Sequence, residues 1–263
     1  KKVFVSIKDP DVRVSGKGLD QLRKAGIEVN LGLCENEAIA INKSFIHRNL
    51  TNQAYGVLKW AMSMDGRIGL KNGNSKWITD DFSRSVAHSL RADFDAIIVG
   101  GNTLRKDNPL LTTRGKKYPE PLRVVFTRTL NLPLERNLWN CDIAKTLVVY
   151  DESSANEKYL DNLPSCVELA KVPSDNPKLL SQLLAERGLN KILWECGPDL
   201  ATSAIKNGCI QETIAFIAPK ILGGDSSMTP FADFNFEDMN EVKILNRGAI
   251  QILNGDIFIK NYT

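Results

Sequence analysis

The chain has 263 residues, a length that suits one domain, or one domain with a fragment of another. Its formal net charge of +3 is small for this length. Its apolar share of 43% and charged share of 25% are ordinary for a globular protein that builds a core without disulfides or metals. No Lys/Arg block with interleaved aromatics predicts a nucleic-acid surface, and no apolar run reaches the ~18 residues of a membrane span, so we expect neither partner.

The first 50 residues predict one βαβα unit. Its elements are a strand over Val3–Ile7, a helix with Leu19, Leu22 and Ala25 that ends at Gly26, a strand over Ile27–Leu31, and an amphipathic helix over Glu35–Ile46. A polar linker is predicted from Asn49 to Ala54. The unit is too small to be a domain alone. The start Lys1-Lys2-Val3, without a Met, leads us to expect a piece of a longer protein or a processed one.

From Tyr55 onward, strands and helices alternate, which predicts a mostly parallel sheet with helices on its faces. The predicted strands are Val57–Met62, Ala96–Val99, Leu122–Phe126, Thr146–Tyr150, Val167–Ala170, Lys191–Trp194 and Thr213–Ile217. The predicted helices are one capped by Thr79 that runs to about Ala92, one over Pro177–Arg187 closed by Gly188, and one over Asp199–Lys206.

The C-terminus predicts three short antiparallel strands. They cover Val242–Leu245, Ala249–Leu253 and Asp256–Lys260, joined by Asn-Arg-Gly and Asn-Gly turns. Asn254-Gly255 is a strong hairpin signal. The predicted fold class is therefore α/β, a mostly parallel central sheet flanked by helices with a C-terminal antiparallel hairpin.

The cysteines and histidines argue against disulfide bonds and bound metals. The five cysteines are scattered and odd in number, and no Cys-x-x-Cys occurs, so we expect reduced thiols in a cytosol-like compartment. The two histidines, His47 and His88, are too few and too far apart for a zinc site. No metal is expected.

Glycine-containing turns follow three predicted strands, at Gly100–Gly101, at Gly197, and at Gly223–Gly224 within a loop predicted from Pro219 to Asp225. Each alone is compatible with an ordinary βα turn. If the strands are parallel neighbours, however, the turns meet at one edge, where free N–H groups of helix starts receive phosphates. This convergence favours a phosphate-bearing ligand.

Five side chains near these turns are candidates for chemistry, each with a structural alternative. Glu195 at a strand end suits sugar hydroxyls or simply caps a turn. Arg91 and Arg114 flank the first glycine turn, as a phosphate clamp or as solvated charges. Lys59 within an apolar strand either snorkels at an edge or faces a polar cleft. Trp77 in a Gly/Asn-rich loop either covers a flat ring or packs.

Together these motifs resemble the reductase domain of the riboflavin-biosynthesis deaminase/reductase family. The resemblance runs from about Tyr55 to the end and rests on segments that match in order and spacing: Lys59 to Ile68, Ser75 to Thr79, Leu90-Arg91-Ala92, Gly100 to Arg114, Trp194 to Pro198, and Ala218 to Gly224. The first segment, with Lys8-Asp9-Pro10 and Gly16-x-Gly18, is similar to the last βαβ of the family's deaminase domain. The zinc signature of that domain is absent, so we expect no deamination by this chain, and zinc only if the parent protein carries an upstream deaminase domain.

The resemblance implies a domain division and a reaction. Residues 1–50 would be the C-terminal remnant of a deaminase-like domain, and residues 51–263 a reductase domain with a dihydrofolate-reductase-like fold. The implied activity is NADPH-dependent reduction of 5-amino-6-(5-phosphoribosylamino)uracil to 5-amino-6-(5-phosphoribitylamino)uracil. The implied partner is this phosphorylated pyrimidine. Separately, the antiparallel terminal hairpin is a possible dimer edge, so we expect a homodimer or higher homo-oligomer. The implied compartment is the cytoplasm, or the plastid stroma in a plant.

The resemblance also implies site residues. Those carried over for the cofactor are Ala61, Trp77, Thr103, Asp107, Gly197, Pro198, Asp199, Leu200, Ala201, Thr202 and Ser203. Those carried over for the substrate are Ser75, Arg91, Leu111, Arg114 and Glu195, with the arginines on the phosphate and Glu195 on the sugar hydroxyls.

Two further roles are hypotheses. The family commonly has an acidic residue and then Ser or Arg after the strand that ends at Phe126, whereas this chain has Thr127-Arg128. Arg128 is compatible with the 2′-phosphate of NADPH, or with an ordinary surface charge. Asp107 is our candidate for orienting the sugar or relaying the proton, with Lys59 as an electrostatic helper. The competing readings are a related reductase of another pyrimidine or pterin substrate, and a non-catalytic scaffold that supports dimerisation of the parent protein.

Overall fold

The N-terminal segment forms a small parallel sheet of its own in the computed structural model, which describes residues 1–224 and 227–263. Its elements are β1 (Lys2–Val5), α1 (Lys17–Lys24), β2 (Glu28–Leu31) and α2 (Glu35–Thr51), with β1 pairing β2 in parallel. The predicted βαβα order is therefore confirmed. Neither α1 nor α2 has a fully buried residue.

The predicted linker from Asn49 to Ala54 is wrong in its first half. Helix α2 continues through Thr51 and ends where Asn52 adopts a left-handed φ of 54°. The side chains of Asn49 and Thr51 donate to the carbonyls of Phe45 and His47, one helical turn earlier. Polar residues that bond back to their own helix are compatible with helix as well as with loop.

The main sheet has nine strands in the order β10-β11-β9-β3-β8-β4-β5-β6-β7. The strands are β3 (Tyr55–Ser63), β4 (Ala96–Gly100), β5 (Leu122–Thr127), β6 (Thr146–Asp151), β7 (Glu168–Val172), β8 (Lys191–Trp194), β9 (Glu212–Ala218), β10 (Asn246–Leu253) and β11 (Asp256–Tyr262). Strands β9 to β7 are parallel, whereas β11 pairs antiparallel with both β9 and β10. The predicted mostly parallel sheet with a terminal hairpin is confirmed.

Helices cover both faces of this sheet, and the apolar core is split between the faces. The helices are α3 (Asp81–Leu90), α4 (Gly101–Asp107), α5 (Pro177–Glu186) and α6 (Pro198–Lys206). Ile97 belongs to the cluster on one face and its neighbour Ile98 to the cluster on the other, and both are fully buried. Burial on both faces explains why the central strands read as continuous apolar runs.

The cap predicted for α3 is displaced by one residue. Asp80, not Thr79, is the N-cap, and its carboxylate accepts from the N–H of Ser83 at 2.7 Å. Thr79 is buried. The helix ends at Leu90 and continues as a 3₁₀ turn over Arg91–Asp93.

The prediction of a strand over Val242–Leu245 is wrong. The structure assigns no strand there, and β10 begins at Asn246, so the Asn-Arg-Gly read as a turn lies inside the strand. A bulge falls between Arg247 and Ile250, and a Cβ on Gly248 would meet the carbonyl oxygen of Lys260 at 2.5 Å. Glycine here permits a close strand approach rather than a turn. The turn at Asn254-Gly255 is confirmed, with φ values of 51° and 103°.

The expectation that all cysteines are reduced is wrong for one pair. Cys141 and Cys166 form a disulfide with a Cα–Cα distance of 6.2 Å, while Cys34, Cys196 and Cys209 are free. The pair joins the loops that precede the neighbouring strands β6 and β7. Sequence spacing contains no sign of this proximity.

A buried carboxylate connects the N-terminal segment to the main sheet. Glu212 at the start of β9 is ion-paired with Lys43 of α2 at 2.7 Å and with Lys260 of β11 at 3.0 Å. Arg48 of α2 also donates to the carbonyl of Gly188. Among the described residues, no helix is long and apolar enough to cross a bilayer.

Candidate functional site

The glycine turns do meet at the carboxyl edge of the sheet. Gly100–Gly101 passes from β4 into α4 and Gly197 from β8 into α6, and β4 and β8 are adjacent parallel strands. Gly223–Gly224 lies beyond β9 and folds against the end of β3, because the carboxylate of Asp65 accepts from the N–H groups of Leu222 and Gly223. The predicted loop is described up to Gly224; Asp225 lies outside the described residues.

A buried ion-pair cluster lies at this edge. Leu58 of β3 pairs with Trp194 of β8, so the next residues, Lys59 and Glu195, lie side by side. The Lys59 Nζ is 3.0 Å from one carboxylate oxygen of Glu195, and the Arg91 Nε and Nη2 are 2.7 and 3.1 Å from the two oxygens. The side chains of Lys59, Glu195 and Arg91 are 16%, 11% and 10% exposed. Lys59 therefore does not extend to solvent at a sheet edge, and the Glu195 carboxylate binds cations instead of capping a turn.

The charges of this cluster keep Glu195 ionised. Burial alone would raise the pKa of Glu195, but the charges and hydrogen bonds of Arg91 and Lys59 outweigh it and lower the pKa well below its ordinary value. With two cations and one anion, the cluster carries one positive charge in excess. Such a site favours an anionic ligand over a neutral one.

Arg91 is held on both ends of its guanidinium. Its Nη1 donates to the carbonyl oxygen of Thr112 at 2.9 Å and lies 3.2 Å from the Nδ1 of His88. Burial, followed by the charges of Arg91 and Arg114, lowers the pKa of His88 to about 4. The sequence reasoning missed His88 and Thr112. The available signal for His88 was its position three residues before Arg91, on the same helical face.

Arg114 differs from Arg91 in having no committed partner. It is exposed, and within residues 1–224 and 227–263 no hydrogen bond or ion pair of its side chain is found. Its loop is well defined, since Thr113 donates through its N–H and hydroxyl to Glu120 at 2.6 and 2.9 Å. Leu111 in the same loop is buried. Arg114 is thus a cation available to a ligand beside the cluster.

Two uncapped helix starts lie next to the cluster. Neither α4 nor α6 has a side-chain cap, so the free N–H groups of the first turn of α4, and those of Asp199 and Leu200 behind Pro198 in α6, are available to a ligand. A Cβ on Gly197 would lie 3.9 Å from the Thr103 hydroxyl, and one on Gly100 would lie 3.5 Å from Leu200, so the two turns face each other. Asp199 is exposed, and Pro198 and Ser203 are half-buried.

Not all of the α6 residues carried over from the family face this opening. Ala201 and Thr202 are buried. The Thr202 hydroxyl accepts from the N–H of Ala232 at 2.9 Å and thereby fixes the loop that follows Thr229. In this structure Thr202 positions α6 rather than lining its uncapped end.

Trp77 is an exposed aromatic beside the site. The side chain is 62% exposed, which excludes the alternative of a packed core tryptophan. The Arg84 guanidinium lies 4.3 Å from the ring centroid, and the Lys220 Nζ donates to the Trp77 carbonyl at 2.8 Å. Lys220 therefore joins the Trp77 loop to the Gly223 loop. Ser75, two residues earlier, and Ala61, on the same face of β3 as Lys59, are half-buried.

Asp107 and Arg128 lie outside the ion-pair cluster. Asp107 is the last residue of α4 and is exposed, yet desolvation by its surroundings raises its pKa against the opposing charges of Lys76 and Lys106. Arg128 follows β5 and is exposed. A Cβ on Gly101 would lie 2.9 Å from the Thr127 hydroxyl, so the end of β5 abuts the start of α4. Arg128 is thus next to the uncapped α4 start. In the described part of the chain, no group of His, Cys, Asp and Glu forms a metal site.

Comparisons with known proteins place these features in one family. Residues 54–252 match the family model described as the RibD C-terminal domain. The chain is 39% identical over 262 residues to riboflavin biosynthesis protein RibD of Synechocystis sp., covering 99% of this chain and 71% of the relative. It is 34% identical to riboflavin biosynthesis protein PYRR, chloroplastic, of Arabidopsis thaliana, covering 99% of this chain but 45% of the relative.

Solved structures show the same relationship. Acinetobacter baumannii RibD superimposes with a TM-score of 0.87 at 31% identity, covering 100% of this chain and 72% of the other. A Thermotoga maritima protein described as a diaminohydroxyphosphoribosylaminopyrimidine deaminase/5-amino-6-(5-phosphoribosylamino)uracil reductase gives a TM-score of 0.85 at 26% identity, covering 100% of this chain and 71% of the other. These neighbours have the dihydrofolate-reductase-like fold, and the predicted fold class is confirmed.

Proposed function

Since the chain belongs to the RibD C-terminal domain family, the reductase part of riboflavin-biosynthesis proteins, we propose that it reduces 5-amino-6-(5-phosphoribosylamino)uracil to 5-amino-6-(5-phosphoribitylamino)uracil with NADPH. The observation that carries the proposal is the buried Lys59–Glu195–Arg91 cluster beside two uncapped helix starts. The cluster supplies an ionised acceptor for the sugar hydroxyls of the substrate and excess positive charge for its phosphate. The helix starts supply free backbone donors for the phosphates of NADPH.

The substrate would lie over the cluster. Glu195 keeps lone pairs beyond those used by its cations, and a carboxylate accepting two sugar hydroxyls is an effective anchor. Arg114 would bind the phosphate, supported by the remaining N–H of the Arg91 Nη2, with Ser75 and Leu111 shaping the pocket. Lys59 keeps the carboxylate oriented and offsets its charge. These residues would position the ribosyl carbon and exclude water from it.

The residues present fit a dinucleotide at the two helix starts. The first N–H groups of α4 and α6 would receive its phosphates, Thr103 and the turn from Gly197 would line it, and exposed Trp77 and Ala61 would contact its rings. Arg128 beside the α4 start suits a 2′-phosphate, which supports NADPH over NADH. When bound, NADPH would supply hydride to C1′ of the ring-opened, imine form of the substrate.

Replacing Asp107 with asparagine should lower kcat by about 10²-fold or more while leaving KM for NADPH within about threefold, because the amide cannot relay a proton. The raised pKa of Asp107 suits a carboxyl group that exchanges protons. Steady-state kinetics measures both parameters. Asp142→Asn, at an exposed loop position preceding β6, is the matched control. Full turnover by Asp107→Asn would rule out the relay.

Replacing Arg114 with alanine should raise KM for the phosphorylated substrate by about 30-fold, the effect of losing a charge-assisted contact. The same variant should not change KM for the dephosphorylated riboside. NADPH oxidation, followed by absorbance with both substrates, tests the proposed reaction and this contact together. Lys116→Ala, an exposed cation in the same loop, is the control. Equal effects on both substrates would show that Arg114 does not bind the phosphate.

The NADPH-oxidation assay and a titration of NADPH fluorescence together separate the competing functions. A reductase of another pyrimidine or pterin would oxidise NADPH with a different member of a substrate panel. A non-catalytic scaffold would show no saturable NADPH binding when the cofactor's fluorescence is titrated with protein. We propose no deaminase activity for this chain, and we assign residues 1–50 to the remnant of a deaminase-like domain. The separate two-stranded sheet supports that division.

We also propose that the protein is a homodimer that uses the outer edge of β10. This strand pairs only with β11 among the described strands, and Ile250 and Ile252 are 64% and 79% exposed. An exposed apolar edge strand is a ready surface for pairing with another copy. The opposite edge strand, β7, is instead bordered by the ion pairs Lys171–Glu152 and Arg187–Glu168.

Replacing Ile250 and Ile252 together with lysine should convert a dimer to a monomer, because charged side chains block edge pairing. Light scattering coupled to size-exclusion chromatography gives the mass directly. Ile41→Lys, at an exposed position of α2, is the control. A wild-type protein that is monomeric, or a double variant that stays dimeric, contradicts the assignment. We place the protein in the cytoplasm, or in the plastid if its source is a plant, as the chloroplastic relative suggests.

A further inference from the structure

Arg91 is fixed by acceptors from three different parts of the chain. Glu195 at the end of β8 takes the Nε and one Nη2 hydrogen, and Thr112 of the loop after α4 takes one Nη1 hydrogen through its carbonyl. The second Nη1 hydrogen points to His88 of α3, whose Nδ1 is 3.2 Å away. Of the five N–H groups of the guanidinium, one on Nη2 then remains for a ligand.

The contact with Arg91 determines the state of the imidazole. An Arg91 N–H can donate to Nδ1 only if that nitrogen carries no proton, so the proton of a neutral His88 resides on Nε2. The charged groups that influence His88 are Arg91, Arg114 and Lys59, with Glu195 as the single anion. Burial, and then three cations against one anion, disfavour an imidazolium here. His88 therefore serves as a neutral acceptor in a cationic site.

We propose that His88 is a positioning residue, which as a neutral Nε2–H imidazole holds the Arg91 guanidinium in the orientation that serves Glu195 and the ligand. Its kinetic consequence rests on the reductase function proposed above. Without this acceptor, Nη1 keeps only the Thr112 carbonyl, and the guanidinium can rotate away from the bidentate contact. Both the substrate phosphate and the Glu195 carboxylate would then meet a less ordered partner.

The test compares two substitutions of similar size. In His88→Asn the amide oxygen takes nearly the place of Nδ1 and accepts the same hydrogen bond, whereas His88→Leu fills space without an acceptor. We expect His88→Leu to lower kcat/KM for the pyrimidine substrate about 10- to 30-fold and to leave KM for NADPH unchanged. His88→Asn should recover to within about threefold of wild type. Equal losses in both variants would show a packing role and overturn the proposal.

Nitrogen NMR of the whole chain decides the orientation without relying on activity. The chain has only two histidines, so His47→Gln assigns the His88 signals. We expect a protonated Nε2 and an unprotonated Nδ1 for His88 from pH 6 to 8, and a distinct Arg91 Nε–H signal that persists in His88→Asn but is lost or shifted in His88→Leu. An unchanged Arg91 signal in His88→Leu, or a His88 that titrates at its ordinary value, overturns the proposal. If wild type fails to oxidise NADPH while these signals behave as expected, the proposed reaction fails and the positioning of Arg91 stands.

Discussion

Replacing Glu195 with glutamine should lower kcat/KM by about 10²-fold or more and reduce the free energy of unfolding by about 3 kcal/mol, because it leaves two buried cations unpaired. Arg91 and Lys59 lose their only carboxylate partner in the described structure, and neither can move to solvent without leaving the site. The uncharged amide also presents an N–H₂ group to one of these cations. Steady-state kinetics and urea denaturation measure the two losses.

The pH dependence of this stability difference has a defined sign. The folded-state pKa of Glu195 lies below its ordinary value of 4.5, so its ionised form is favoured by folding. The difference between wild type and Glu195→Gln should therefore be complete above about pH 5 and decline as the pH falls toward the folded-state value. A difference that grows on acidification would contradict the assigned charge state.

Glu168→Gln is the matched control for this experiment. Glu168 also accepts from an arginine, Arg187, at 2.6 Å, but the pair is solvent-exposed. An exposed pair contributes about 0.5 kcal/mol or less, and this one lies away from the glycine turns. Comparable losses in both variants would mean that burial of the Glu195 cluster has no energetic consequence.

Part of the candidate site could be predicted from the sequence, and part could not. The glycine turns, the strand ends and the types of side chain were predictable because parallel strands necessarily bring their carboxyl ends to one edge. Pairing of Lys59 with Glu195 depends on β3 and β8 being neighbours in register. That neighbour relation is set by the whole sheet, and no local pattern at either residue encodes it.

Arg91 and Arg114 show the same limit. In the sequence, Arg91 and Arg114 lie on either side of a glycine turn, and both are equally suited to bind a phosphate. In the structure, Arg91 is buried and held by Glu195, Thr112 and His88, while Arg114 remains exposed. Burial and competing acceptors, which determine how many donors are left for a ligand, come from tertiary packing alone.

The errors in secondary structure have a related cause. The apolar residues of Val242–Leu245 have β propensity, but β10 begins later, where a glycine admits the close approach of β11. The disulfide between Cys141 and Cys166 likewise depends on the adjacency of β6 and β7. Propensity describes what a segment favours alone, whereas the sheet decides which segment finds a partner.

Arg123 is the strongest case of a residue whose importance only the fold reveals, and replacing it with methionine should reduce the free energy of unfolding by about 3–5 kcal/mol. The residue lies in β5 and is 0% exposed. Its Nη2 lies within hydrogen-bond distance of the carbonyls of Leu138, Asn140 and Ala144, at 2.9, 2.9 and 2.6 Å. Methionine would remove this donor from the carbonyls of Asn140 and Ala144 and leave the Leu138 carbonyl with only the Thr146 hydroxyl, and each lost donor is costly. Urea denaturation measures the loss.

Two further substitutions separate the possible causes of that loss. Burial lowers the pKa of Arg123 to about 10, so the residue remains charged at neutral pH and no carboxylate within the described residues pairs with it. Arg123→Lys keeps the charge, but the lysine side chain ends one bond short of Nη2 and has no second nitrogen for the Asn137 carbonyl, which Nη1 reaches at 3.4 Å. We therefore expect Arg123→Lys to resemble the methionine variant rather than wild type, and exposed Arg128→Met to cost about 0.5 kcal/mol or less. Because Arg123 lies at the amino edge of the sheet, the folded fraction of each Arg123 variant should keep its KM for both substrates. If Arg123→Lys had nearly the stability of wild type, the loop would require the charge and not the donor geometry.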